Sequence, residues 1–394
     1  MKSKRFTAFV GSYEEGSTTG GGGIYTVVIE PEGESMKIAH HHSQPKQAGY
    51  LIYNEENRSL YAVDEQKTTG RNAVQNCASV LSFTVDENGR LEKSGQLPAP
   101  GPRPTYLDAN FRANTLFCAN HGDFQHVERV NRADDGSWHV EYVYDDSTAI
   151  AYELDSNGVL GHIKDVTVFR GQGKDPNFSP QNGGHAQASA HAHCIVLCPN
   201  AKFIFVCDKG TDRIHVFRFD GTFELLSTYQ LPAECGPRHL VYHDASDQLF
   251  VTCEFASELA VFKFNPQTAE MTLTERLSTV TANYHGVNEP AHVCLHPTLP
   301  VVYVNNRGED SLVWFSFSQS GQLRRAGSVS LSKSIHPGLA ARSFCFSPCG
   351  EYFLIADRSA NLLRMYQVDS TDGRLSWFTE LSIPDPAFVC AHII

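Results

Sequence analysis

From residue 194 onward the chain repeats one ordering of apolar and polar positions. Segments 194–219, 240–264, 293–317 and 344–368 each hold a short apolar run, a turn and a second apolar run, then a polar loop and a third run rich in aromatics. Short apolar runs bounded by turn residues predict buried strands rather than helices. Pro199, Asp244, Pro297 and Pro348 mark the turns. Seventeen residues after each marker lies the third run: Val216-Phe217-Arg218-Phe219, Val261-Phe262-Lys263-Phe264, Trp314-Phe315-Ser316-Phe317 and Met365-Tyr366-Gln367-Val368. The markers themselves are 45, 53 and 51 residues apart. A constant internal offset with elastic spacing between copies is what one repeated supersecondary unit leaves in a sequence.

A turn and a fourth strand follow each third strand. Asn157-Gly158-Val159-Leu160, Ser320-Gly321-Gln322-Leu323 and Asp372-Gly373-Arg374-Leu375 are the clearest such turns, with glycine supplying the positive φ they need. Fainter copies span 50–97 and 106–166. Residues 9–42 hold a second strand (Phe9-Val10-Gly11-Ser12), a third (23–29) and a fourth (36–40), but no first. At the other end, Pro386-Ala387-Phe388-Val389-Cys390 reads as a first strand with no unit of its own. The predicted fold class is all-β: a seven-bladed β-propeller of four-stranded antiparallel blades, one domain over residues 1–394. The C-terminal strand closes the ring by completing the N-terminal blade, which removes open sheet edges. A pair of β-sandwiches is the alternative for so many short strands.

Composition alters this picture little. At about 150 residues per domain, 394 residues would divide into two or three domains, but the repeat makes them one ring. Hydrophobic residues at 41% and charged ones at 19% supply a large core and exclude disorder, collagen and coiled coil. The formal net charge is −12, which speaks against nucleic-acid and membrane partners. It leaves room for a small anionic ligand held by a few local arginines. Eleven scattered cysteines without a C-x-x-C pair read as small hydrophobes in a reducing compartment. No signal-peptide-like run precedes Phe6-Thr7-Ala8-Phe9-Val10, and no apolar run reaches membrane-spanning length, so a cytoplasmic location is expected.

In a propeller, first strands line the axis, and second-to-third and fourth-to-first connections share one face. All the unusual lengths belong to that class: 14–22, 66–77, 122–146, 170–191 and 281–289. The insertions 122–146 and 170–191 therefore elaborate the functional face, and His185 in the second reads equally as a ligand or as a solvated lid residue. Six residues before each turn marker stand Gly49, Thr105, His193, Arg238, Ala291, Arg342 and, in the closing strand, Ala387. Five before stand Tyr50, Tyr106, Cys194, His239, His292, Ser343 and Phe388. Second-strand ends add Glu65, His121, Lys209, Glu254, Arg307 and Arg358. Four arginines, two carboxylates and several histidines should converge on one channel mouth. Arginine forks suit carboxylate or phosphate, and imidazole suits proton transfer, although any of these arginines could instead tie blades together as ion pairs. His191-x-His193 has metal-ligand character, but its spacing alone specifies no site, and no metal is expected. There is no P-loop and no G-x-S-x-G elbow.

The most specific elements are His191-Ala192-His193, Asp208-Lys209-Gly210-Thr211-Asp212-Arg213, Gly236-Pro237-Arg238-His239-Leu240, Cys253-Glu254 and Asn306-Arg307-Gly308-Glu309-Asp310-Ser311. In these the chain resembles the seven-bladed-propeller lactonases, which include a bacterial 6-phosphogluconolactonase and the fungal carboxymuconate lactonizing enzyme. The resemblance implies a cofactor-free site at the channel mouth, with catalytic residues falling on His193 (or His191), Arg238, Glu254 and Arg307. His191, His239, His292, Arg342, His121 and Lys209 are the expected substrate contacts. The sixth unit departs from the family pattern: Ala291-His292-Val293-Cys294 has His where Glu is usual and Cys where His is usual. Three functions follow. The first is hydrolysis of a small, anionic sugar-acid lactone, in which His193 activates water while Glu254 tunes that histidine or places the water. The second is lactonisation of an unsaturated dicarboxylate, and the third is a non-enzymatic interaction scaffold. Clustered Arg, His and Glu favour an enzyme over a scaffold.

Overall fold

The computed structural model describes residues 5–14, 20–67, 78–174 and 186–393; His185 and parts of three predicted loops lie outside these. Six four-stranded antiparallel sheets follow one another over residues 48–98, 104–169, 192–230, 237–278, 289–330 and 343–382, here blades 2 to 7. Blade 1 is assembled from both chain ends: Pro386–His392, Phe6–Ser12, Gly23–Glu30 and Ser35–His42 lie side by side in that order. Phe9 pairs with Cys390 and Val10 with Val389, so the ring closes as the orphan strand predicts.

Burial explains the apolar runs. Second strands such as Gln248–Cys253 and Tyr352–Asp357 are buried at every position, because neighbouring blades cover both faces. A fourth strand such as Leu323–Ser330 alternates half-buried with exposed, because water covers its outer side. Side chains also hook one blade to the next. Tyr61 donates its hydroxyl to the Gly158 carbonyl at 2.6 Å, and Tyr303 does the same to Gly373 at 2.5 Å. Both glycines have positive φ, and a Cβ on either would run into that tyrosine hydroxyl.

Two features differ from the sequence reading. The insertion 122–146 is not a plain loop: His126–Arg132 and Trp138–Tyr144 form an antiparallel hairpin. Most of its side chains are exposed or half-buried on both faces, so no continuous apolar run marks it. The first strand of blade 7 is only Ser343–Phe346, which leaves Arg342 in the connection just before it. The ten described cysteines are all free.

First strands bring aromatic rings together on the axis. The Tyr50 ring lies 4.2 Å from Tyr106 and 4.1 Å from Phe388, and His239 meets Tyr106 at 5.0 Å. This aromatic floor places the polar tier above it at one mouth.

Candidate functional site

Glu254 is the hub of that tier. It follows the second strand of blade 5, with its N–H bonded to the Gly236 carbonyl at 2.7 Å. Lys209 donates Nζ to Glu254 Oε1 at 2.7 Å, and Arg307 donates Nη2 to Oε2 at 3.0 Å. Arg238 Nε lies 2.7 Å from Oε2, but its N–H is not aimed at the carboxylate and has no hydrogen-bond partner. Blades 4, 5 and 6 thus send three cations to one carboxylate. Glu289 takes a share of Arg307, at 2.8 Å. Arg238, Glu254, Lys209 and Arg307 are all nearly inaccessible, at 1%, 3%, 5% and 6% exposure.

Burial, the largest influence on Glu254, raises its pKa, but Lys209, Arg307 and Arg238 together reverse this and hold the carboxyl at about 2. Burial, reinforced by Arg307, pushes the Arg238 guanidinium down to about 9. It remains cationic at neutral pH yet short of negative charge. Burial also lowers Lys209, against the pull of Glu254.

The histidines separate into two kinds. His191 is fully buried with both ring nitrogens engaged: Nδ1 donates to the His121 carbonyl at 2.9 Å, so Nε2 accepts from Ser189 at 3.3 Å. Its backbone N–H is fixed by Asp208 Oδ1 at 2.7 Å, and its ring stacks on His121 at 4.4 Å. His193, two residues on, has a buried Nδ1 with no hydrogen-bond partner among the described residues. Burial, then Arg238 and Lys209, hold its pKa well below the usual 6.5, so the ring is neutral. No hydrogen bond links His193 to Glu254. Arg238 Nη1 donates to His239 Nε2 at 3.1 Å, which places the His239 proton on Nδ1, facing His292 Nδ1 at 3.0 Å. Burial keeps His121, His239 and His292 neutral as well.

Across the ring, Arg342 Nη1 donates to the Tyr13 hydroxyl at 2.7 Å, and Tyr13 in turn donates to Glu65. Arg342 Nη2 reaches Glu65 Oε1 only at 3.4 Å. Arg342 also acts on the pKa of Arg238 and His239, which places it over the same mouth. Arg358 does not join it. Asp385 grips its Nε and Nη2, and the Gly338 carbonyl takes Nη1 at 2.8 Å, so it is an ion pair between connections.

Sequence reasoning missed Glu289 and Tyr13, which pin Arg307 and Arg342, and Phe124 and Phe255, whose rings face Lys209 Nζ at 5.7 and 5.6 Å. All four sit in or beside irregular connections, where no repeat offset points to them. Among the described residues, no group of three or more His, Cys, Asp or Glu is placed to hold a metal ion. A cavity of about 600 Å³ lies between the hairpin and residues 188–190, and one of about 610 Å³ at the opposite mouth. Neither contains the Glu254 cluster.

A family described as lactonase, 7-bladed beta-propeller, matches residues 7–391. The 6-phosphogluconolactonase of Bacillus subtilis is 23% identical over 395 residues, covering 98% of this chain and 98% of its own. Among solved structures, a periplasmic gluconolactonase from Pseudomonas aeruginosa aligns with a TM-score of 0.81 at 22% identity, covering 98% of this chain and 99% of that one. A Lactobacillus plantarum protein aligns with a TM-score of 0.81 at 21% identity, covering 99% and 100%. At these identities the structural likeness speaks for the fold alone. With the family match running through every blade, the chain belongs to the seven-bladed β-propeller lactonases.

Proposed function

We propose that the protein hydrolyses a small anionic sugar-acid lactone at the channel mouth without a cofactor. The observation that carries this is the charge surplus: among the described residues, Lys209, Arg238, Arg307 and Arg342 meet only three carboxylates, Glu254, Glu289 and Glu65. A fully buried guanidinium that shares one carboxylate with two other cations is poised for a further anion. The substrate's carboxylate or phosphate supplies it, and the same forks stabilise the oxyanion formed when water attacks the lactone carbonyl.

His193 takes the proton from the attacking water. The tetrahedral intermediate then collapses, the ring C–O bond breaks, and the imidazolium returns the proton to the departing alkoxide. A depressed pKa makes that imidazolium a strong acid for the second step. The bound anion offsets Arg238 and Lys209 and lifts the imidazole toward working range for the first. Glu254, at about 2, is too weak a base for either step and acts by fixing three cations.

The test is acid release in a pH-stat from phosphorylated and unphosphorylated aldonolactones, corrected for spontaneous hydrolysis. Arg238→Ala and Arg307→Ala should each lower kcat/KM about 100- to 1,000-fold. Either variant leaves Glu254 two cations, so the fold should persist. No release above the spontaneous rate from any lactone overturns the proposal.

A further inference from the structure

We propose that Glu65, Arg342 and Tyr13 form a subsite that reads the hydroxyl groups of the substrate, facing the anion-binding cluster across the channel mouth. This rests on the lactonase reading and deepens it: the charged end of the lactone lies toward blades 4 to 6, and its hydroxyl-bearing carbons toward blades 1, 2 and 7.

Four observations carry it. First, access: the side chains of Arg342 and Glu65 are 15% and 12% exposed, whereas those of Arg238, Glu254, Lys209 and Arg307 are 1% to 7% exposed. A ligand reaching the mouth therefore meets this pair first. Second, charge: one guanidinium beside one carboxylate is neutral, which does not favour a second anion. A donor fork next to a free acceptor matches hydroxyls, each of which donates and accepts. Third, incomplete pairing: Glu65 Oε2 accepts from Tyr13, but among the described residues Oε1 is met only by the 3.4 Å contact to Arg342. Acceptor capacity remains where the site is open. Fourth, room has been made for the carboxylate: a Cβ on Gly49 would lie 2.1 Å from Glu65 Oε2, so any other residue there would expel it.

The subsite is held rigid from behind. Arg358 faces the Tyr13 ring at 4.7 Å, and Arg342 faces it at 5.4 Å. The Tyr13 N–H is bonded to the Asp385 carbonyl at 3.1 Å. The inter-blade tie in this region is already supplied by Arg358 and Asp385, gripped at two points. Arg342 and Glu65, by contrast, touch at one long contact and are poorly explained as a second tie.

The experiment compares kcat/KM for a polyhydroxylated δ-lactone with that for unsubstituted δ-valerolactone, in wild type, Glu65→Gln and Tyr13→Phe. The ratio of the two should fall about 10- to 100-fold in Glu65→Gln, and in the same direction in Tyr13→Phe. Tyr13→Phe keeps the ring between its two guanidiniums and serves if Glu65→Gln does not fold. A purely structural role lowers both substrates together; an unmoved ratio while wild type still hydrolyses lactones overturns the subsite alone. If wild type hydrolyses none, the lactonase reading falls. Calorimetric binding of gluconate against hexanoate, equal in charge, then decides the subsite: preference for gluconate that is lost in Glu65→Gln supports it, and equal binding overturns it.

Discussion

Replacing Glu254 by glutamine removes the one negative charge shared by Lys209, Arg238 and Arg307 while keeping the size of the side chain. Its carboxyl stands at about 2 against an ordinary 4.5: burial raises it, and the three cations more than reverse that. Such a shift corresponds to about 3 kcal/mol of folding stability. Because the folded value is depressed, that stability is fully present above pH 4.5 and is lost as pH falls toward 2. Three buried cations deprived of their counter-ion cost a similar amount, about 3–5 kcal/mol. The lower end applies here, because burial already lowers the Lys209 pKa and the lysine can shed its proton once Glu254 is gone. Glu254→Gln should therefore unfold in urea with about 3 kcal/mol less stability than wild type at pH 7. The gap should narrow below pH 4.5 and close near pH 2, where wild type carries a protonated carboxyl. Added phosphate should stabilise the variant more than wild type by entering the cationic site. A variant as stable as wild type at pH 7, or a gap that persists unchanged into acid, refutes the account of Glu254 as the common counter-ion.

Two further outcomes are expected. With His193 held well below 6.5 by burial and Arg238, kcat/KM should stay flat between pH 6 and 8, with an acid limb well below 6.5; an inflection at 6.5 contradicts it. Replacing residues 127–143 by an Asn-Gly turn should change stability by no more than about 1 kcal/mol, since paired His126 and Tyr144 are already neighbours and the hairpin stands largely in water; a larger loss in urea denaturation means that it supports the blades.

The ring was legible because strand spacing is a physical constraint that every blade must meet. A fixed offset from the turn to the third strand reports the length of two strands and the turn between them. Counting from the same turn markers places Lys209, Glu254 and Arg307 at the ends of second strands, and Arg238 at the start of a first strand. For Arg342 it gave the right neighbourhood although the strand itself begins one residue later. The hairpin at 126–144 was not legible for the complementary reason. Apolar runs mark strands that are covered on both sides, and this one is exposed.

Register locates a backbone position, but the partner of its side chain also depends on what its neighbours and connections bring beside it. Arg307 and Arg358 occupy equivalent places at the ends of second strands, yet they do different things. Glu289, the first residue of blade 6, stands opposite Arg307 in the strand register, and Arg307 is shared between it and Glu254. The short turn before the closing strand brings Asp385 to Arg358, which is held there at Nε and Nη2 while the Gly338 carbonyl takes Nη1. His191 and His193 diverge in the same way. Ser189 and the His121 carbonyl engage both nitrogens of His191, whereas Nδ1 of His193 has no hydrogen-bond partner among the described residues. Of the two histidines, the one that its neighbouring connection leaves short of a partner is His193; of the two arginines, the one that shares the Glu254 carboxylate with Lys209 is Arg307. Sequence spacing narrowed the candidates to a ring, and among its described members Arg238 Nε and His193 Nδ1 are the buried nitrogens left without a hydrogen bond.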